Sequence, residues 1–208
     1  WRCDVAADDD DTLWWSGLAE APDDVLELMY CIVRQFPDVY TCFAKLGSLG
    51  NWSGSGSFSQ LSNSFKLEPS GCFTKFMKNP EKLKTAFGYL DPDASGEISL
   101  HEWDALHQLW KELQLSLLEF LQFVDRTFNG NFNLVWEELD SDGSGEVDCE
   151  EWAEAVQFIG YFGESKPIFN YLCDPHMNMI TEREWQKTHT LWKERASVRQ
   201  RILEEHAA

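Results

Sequence analysis

Apolar residues recur at helical spacing over most of this chain. From Pro22 onward, Val25, Leu26, Leu28, Met29, Ile32, Val33 and Phe36 predict one amphipathic helix, with Pro22 suited to its first turn and Asp23 and Asp24 favourable at its N-terminus. A second helical stretch after Pro37 carries Val39, Tyr40, Phe43 and Leu46, and the Gly- and Ser-rich segment from Gly47 to Ser64 reads as largely loop. A third helix is expected after Pro80, with Leu83, Ala86, Phe87 and Leu90 on one face. A fourth carries Trp103, Leu106, Leu109, Trp110 and Leu113, and Ser116 is placed to cap a fifth from Leu117 to Phe128 before Asn129, Gly130 and Asn131 break the pattern. Phe132, Val135, Trp136 and Leu139 then repeat the face of the third helix.

The repeat organises the chain more firmly than any single propensity. Asp91-Pro-Asp-Ala-Ser-Gly-Glu-Ile-Ser-Leu-His-Glu102 and Asp140-Ser-Asp-Gly-Ser-Gly-Glu-Val-Asp-Cys-Glu-Glu151 share one grammar over twelve positions, and each is followed by a Trp, Trp103 or Trp152. Oxygen-bearing side chains stand at positions one, three, five, nine and twelve. Gly96 and Gly145 stand at position six, where the chain must turn sharply. Both segments resemble the EF-hand superfamily, and the array as a whole resembles a four-unit calmodulin- or troponin-C-like arrangement with two intact and two degenerate units.

That resemblance implies an all-α fold of paired helix-loop-helix units in two lobes, with short β pairings between loops at Ile98 and Val147. It implies two bound Ca²⁺ ions. Calcium is a hard cation that takes six to eight oxygens at about 2.3 to 2.6 Å. The implied ligands are Asp91, Asp93, Ser95, the Glu97 carbonyl, Ser99 and Glu102 in one loop. In the other they are Asp140, Asp142, Ser144, the Glu146 carbonyl, Asp148 and Glu151. Two further segments fit the frame without its ligands. Cys173 to Glu184 keeps Asn178 at six, Ile180 at eight and Trp185 after the last position, but Cys173, Pro175 and Met177 offer no hard oxygen, so this loop should fold without binding calcium. A shorter frame from Asp174, with His176 and Asn178 as ligands, loses the turn position. Asn51 to Ser62 fits with Gly56 at six and Phe58 at eight, contains no carboxylate, and has Asn63 where the others have Trp. The expected organisation is an acidic segment and amphipathic helix over 1–36, one pair of units over 37–115, and a second pair with a C-terminal helix over 116–208.

Composition narrows the function classes. Against 17 Lys and Arg stand 36 Asp and Glu, a formal charge of -19, which argues against nucleic acid and anionic membranes as partners. No apolar run is long enough to span a bilayer. The like-charge run Asp8 to Asp11 suggests a solvated tail over 1–16, and the basic residues Lys187, Lys193, Arg195, Arg199 and Arg201 suggest a C-terminal helix able to dock on acidic surface. Six scattered Cys lack paired metal-ligand spacing and suggest free thiols in a reducing, cytoplasmic-type compartment. The chain starts at Trp1, which suggests a processed or excerpted form. His101, His107, His176, His189 and His206 form no zinc-type pair, and no phosphate-binding Gly motif precedes a helix, so no enzyme is expected. The leading expectation is a calcium-responsive regulatory module acting on a protein partner or on an adjacent region of a larger chain. With only four Met, a dedicated partner is favoured over many. The rival is a structural domain in which calcium is permanent. The sequence leaves the oligomeric state open.

Overall fold

A computed structural model of the chain describes residues 17–68, 71–173, 177–190 and 192–193, with the side chains of residues 71 and 72 outside that set. The expectations for the tail 1–16, for the frame at Asp174 and His176, and for the end of the C-terminal helix lie outside the described residues. The chain is mostly helical and divides between Leu113 and Gln114 into two units.

The first unit contains α1 (Gly17–Glu20), α2 (Asp23–Gln35), α3 (Val39–Gly50), β1 (Ser55–Ser57), α4 (Phe58–Leu67), α5 (Gly71–Phe76), α6 (Pro80–Leu90) and β2 (Glu97–Ser99). It also takes in the first half of α7 (Leu100–Thr127). α2 forms where its apolar spacing predicts, with Val25, Leu28, Met29 and Ile32 fully buried. It packs on α6, α5 and α3, and Lys82 pairs with Glu27 at the rim. β1 and β2 are antiparallel, with Ser55 opposite Ser99, Gly56 opposite Ile98 and Ser57 opposite Glu97. Beyond them, Phe65 stacks on Phe73 at 4.5 Å and meets Phe76 edge-on.

The second unit holds the rest of α7, α8 (Phe132–Leu139), β3 (Glu146–Val147), α9 (Cys149–Phe158), α10 (Ser165–Leu172), β4 (Ile180–Thr181) and a helix α11 over 182–190. β3 and β4 are antiparallel, Val147 opposite Ile180. The core gathers around Phe120, whose ring lies 5.3 Å from Trp152 and 5.1 Å from Tyr161, with Trp185 at 6.4 Å. The expectation that Trp serves mainly as packing holds for Trp103, Trp136, Trp152 and Trp185, all buried.

Three expectations are corrected. The Gly- and Ser-rich segment is loop only from Asn51 to Gly54, because Ser55–Ser57 form β1, Leu61, Ser64 and Phe65 bury one face of α4, and a Ser57–Gln60 capping box starts that helix. α7 is one helix of 28 residues, so Ser116 caps nothing; with neither Gly nor Pro from Leu100 to Thr127, nothing in the backbone chemistry interrupts it. Cys31 is disulfide-bonded, which overturns the expectation that every thiol is free; Cys42 and Cys149 are free thiols.

His189 illustrates how burial couples to pH. Its ring stacks on Phe132 at 4.3 Å, and burial, aided by Lys193, holds its pKa below the ordinary 6.5. Just below pH 6.5 the unfolded chain therefore takes up a proton that the folded chain refuses, and stability falls until pH passes the lower folded value. Melting temperatures at pH 7.5 and 5.5 should differ more for the wild type than for His189→Phe; equal differences would remove His189 as the cause.

Candidate metal centre

The two acidic loops repeat one backbone. In the first, α6 ends at Leu90 and Asp91 is its C-cap; in the second, α8 ends at Leu139 and Asp140 is the C-cap. Gly96 (φ +81°) and Gly145 (φ +84°) make the left-handed turn at position six, the conformation that a Cβ disfavours. Position four is left-handed too, as Ala94 (φ +55°) and Gly143 (φ +70°). An alanine there is uncommon, and the bonds around it hold the turn.

Those bonds match residue for residue. The Gly96 amide donates to Asp91 Oδ2 (2.9 Å) and the Gly145 amide to Asp140 Oδ2 (3.0 Å). The Ser95 amide donates to Asp93 Oδ1 and the Ser144 amide to Asp142 Oδ1, both at 2.9 Å. Ser95 Oγ reaches the Glu97 carbonyl (3.0 Å) and Ser144 Oγ the Glu146 carbonyl (2.7 Å). The oxygens of positions one, three, five and seven thus turn inward together in both loops. The backbone bond from Ser95 holds the Asp93 carboxyl below the usual carboxylate range, and Ser144 does the same for Asp142. Asp93 and Asp142 therefore stay anionic to lower pH than free carboxylates would.

Positions nine and twelve form capping boxes at the exit helices. Glu102 Oε2 accepts from the Ser99 amide (2.8 Å) and hydroxyl (2.7 Å); Glu151 Oε2 accepts from the Asp148 amide (2.9 Å), while Asp148 caps the amides of Glu150 and Glu151. Ser99 and Asp148 therefore orient the closing glutamates as well as standing near the loop. The loops differ in one respect. Carboxylate oxygens of Asp91, Asp93 and Glu102 all lie within 4.8 Å of one another, and among the described residues no such group forms at Asp140, Asp142 and Glu151. The first loop also borders an open pocket of about 480 Å³ lined by Ser55, Asp93, Ser95, Glu97, Ser99 and Glu102 with Pro92 and His101. A donor set of carboxylate, hydroxyl and carbonyl oxygens suits a hard divalent cation such as Ca²⁺ and offers nothing to a thiophilic one.

The Trp after each loop anchors the site to the core. Trp103 Nε1 donates to the Val39 carbonyl (2.9 Å), Trp152 Nε1 to Ser165 (3.0 Å) and Trp185 Nε1 to Phe132 (3.0 Å). Each acceptor is the first residue of a helix that leads into the facing loop. A net hydrogen bond of this kind contributes about 1 kcal/mol, and leaving the buried partner unmade costs about 1–3 kcal/mol.

The degenerate loops part company here. Residues Cys173 to Glu184 keep the turn at Asn178 (φ +57°), the strand at Ile180 and a Thr181–Glu184 capping box, while the Cys173 thiol is directed to the Asn170 carbonyl. The frame expected for Asn51 to Ser62 is wrong by two residues. Gly56 lies opposite Ile98, so Gly56 and not Phe58 stands at position eight; Gly54 (φ +83°) makes the turn, and Gln60 closes the capping box. Buried Leu61 then occupies the place that Trp103 and Trp152 hold, and α3 runs two residues further toward its strand than α6 and α8 do. Sequence reasoning missed Ser55 and Trp52. Ser55 Oγ bonds the Glu97 carboxylate across the β1–β2 ladder. The shared Ser/Asp/Thr-x-x-Glu/Gln spacing of the capping boxes was the signal that could have fixed the frame.

Comparison with curated proteins finds similarity to calcium-dependent protein kinase 3 of Plasmodium berghei (strain Anka), 37% identical over 76 residues, which are 36% of this chain. The match spans 11% of the kinase's length. No family model matches the chain, and no solved structure does. Among the described residues, no helix is long and apolar enough to cross a membrane.

Proposed function

We propose that this chain is a calcium-binding module of paired EF-hands that holds two Ca²⁺ ions, one in loop 91–102 and one in loop 140–151. The observation that carries the reading is the convergence of Asp91, Asp93 and Glu102 oxygens within 4.8 Å, in a loop whose bonding pattern recurs at 140–151. The similarity to a protein named as a calcium-dependent kinase supports the same reading. Calcium when bound supplies a fixed double positive charge; the chain supplies the oxygens, the turn and the glutamate that ties the ion to the exit helix. Its role is regulatory, exerted on a protein partner or on an adjacent region of a larger chain, and catalysis is not part of it. The Cys31 disulfide supports an oxidising compartment rather than a reducing one.

One observation favours a second reading, in which calcium is a constant structural part. The apolar faces of both units are already covered by the chain's own helices, α2 in the first and the Phe120, Leu121 and Val124 face of α7 in the second. A sensor that opens a groove for a partner must first expose such a face. A calcium titration of the chelator-stripped full chain distinguishes them. Uptake of two ions with a change in Trp emission supports the module, and no uptake overturns it. A parallel rise in apolar-dye binding supports the regulatory reading, whereas a flat dye signal supports the structural one.

A further inference from the structure

Resting on the calcium reading above, we infer that Trp52 does in the ligand-poor loop what an ion does in the others, and thereby presets the calcium affinity of the facing loop 91–102. Trp52 follows the left-handed C-cap Asn51, and its amide donates to the Gly47 carbonyl (3.0 Å). The indole then folds back onto a seat of three glycines. A Cβ at Gly50 would stand 2.5 Å from Trp52 Nε1, one at Gly56 3.0 Å from the ring, and one at Gly47 2.9 Å from the Trp52 carbonyl. No side chain larger than hydrogen fits beneath the ring. Gly50 and Gly56 are thus explained by the indole they accommodate and Gly47 by the Trp52 carbonyl, although none of them has a positive φ.

The seat ties together the parts that an ion ties together elsewhere. Trp52 Nε1 donates to Ser64 Oγ (3.2 Å) on α4, and Ser64, fully buried, bonds the Leu46 carbonyl (2.8 Å) on α3. The ring meets Phe43 of α3 edge-on at 4.9 Å and lies against Gly56 of β1. Entering helix, strand and exit helix are therefore joined with no cation. From this fixed unit two connections reach the acidic loop. β1 presents Ser55 to the Glu97 carboxylate and pairs Gly56 with Ile98; Phe43 passes the contact to Trp103, 5.5 Å away, directly after Glu102. The facing loop is the one whose carboxylates are gathered, while among the described residues loop 140–151 has no gathered group. A ligand set held ready loses less freedom on binding, which raises affinity without adding a ligand. Trp52 is thus a positioning residue.

The test uses the full chain and Ca²⁺ alone, with the Gly96 and Gly145 amide resonances reporting the two loops separately. Trp52→Ala should weaken binding at Gly96 about tenfold and leave Gly145 unchanged, with far-ultraviolet circular dichroism as in the wild type. Trp52→Phe and Gly56→Ala, which keep an apolar group in the seat but disturb its fit, should weaken Gly96 by less and again spare Gly145. Should Trp52→Ala unfold the first unit, these two variants decide the matter. Wild-type affinity at Gly96 in every folded variant overturns the inference while leaving the calcium reading intact. If neither glycine responds to Ca²⁺ in the wild type, the calcium reading itself has failed.

Discussion

Glu102→Gln and Glu151→Gln should each abolish one of two calcium-binding events at micromolar ion, weakening the altered site by about a hundredfold, the span between sensor-type and weak extracellular-type sites. Each glutamate closes its loop from the first turn of an exit helix, so it contributes a charge and couples the ion to that helix. Gln keeps the size and much of the capping bond but removes the charge that offsets calcium desolvation. The two variants should differ in one way. Glu102 already stands within 4.8 Å of its partner carboxylates, so its loss removes a preset ligand, whereas the carboxylates of Asp140, Asp142 and Glu151 still have to come together. Titration calorimetry should therefore give one ion per chain for either variant. Two ions at wild-type affinity in both would refute the ligand assignment.

Removing calcium should lower the melting temperature by about 10–30 °C in a unit that has lost its ion. With about 1 mM ion and a dissociation constant of about 1–10 µM, mass action stabilises the folded state by about 2.7–4.1 kcal/mol per site. One kcal/mol shifts the midpoint of a domain of roughly 100 residues by about 4–8 °C. The second unit should lose more. Loop 140–151 carries Asp140, Asp142, Glu146, Asp148, Glu150 and Glu151, against Asp91, Asp93, Glu97 and Glu102 in the first, and like charges left without a cation repel. The first unit also keeps the Trp52 seat and the Cys31 disulfide, neither of which needs calcium. Calorimetric scans with calcium and with chelator should resolve this as two transitions, the lower one falling further. Superimposable scans would mean that no ion stabilises either unit.

The acidic residues of each twelve-residue repeat accept bonds from amides of their own loop, because a loop of this kind is a local object. Its turn needs Gly at one position, its ligands need short oxygenated side chains at fixed spacing, and its closing glutamate caps its own helix. Asp91 to Glu102 and Asp140 to Glu151 therefore announce themselves. So do α2 and α8, whose apolar faces repeat at helical spacing and end up buried. Asn51 to Ser62 misleads for the opposite reason. Small neutral residues alternate there with glycine, and a pattern of that kind fits several frames about equally well. Ser116 is ambiguous in the same way, because a serine that can cap a helix can equally lie within one.

The sequence by itself thus determined the acidic loops, their internal geometry and the helices that lead into them, since each depends on contacts within a dozen residues. Tertiary structure alone decided the register of Gly56 against Ile98, the bonding of Cys31 and the seat of Trp52. All of these depend on what a residue meets from a distant part of the chain. Contact with Trp52, itself held by Phe43 of α3 and Ser64 of α4, is what turns three apparently loose glycines into a fitted surface, and no local periodicity encodes that encounter.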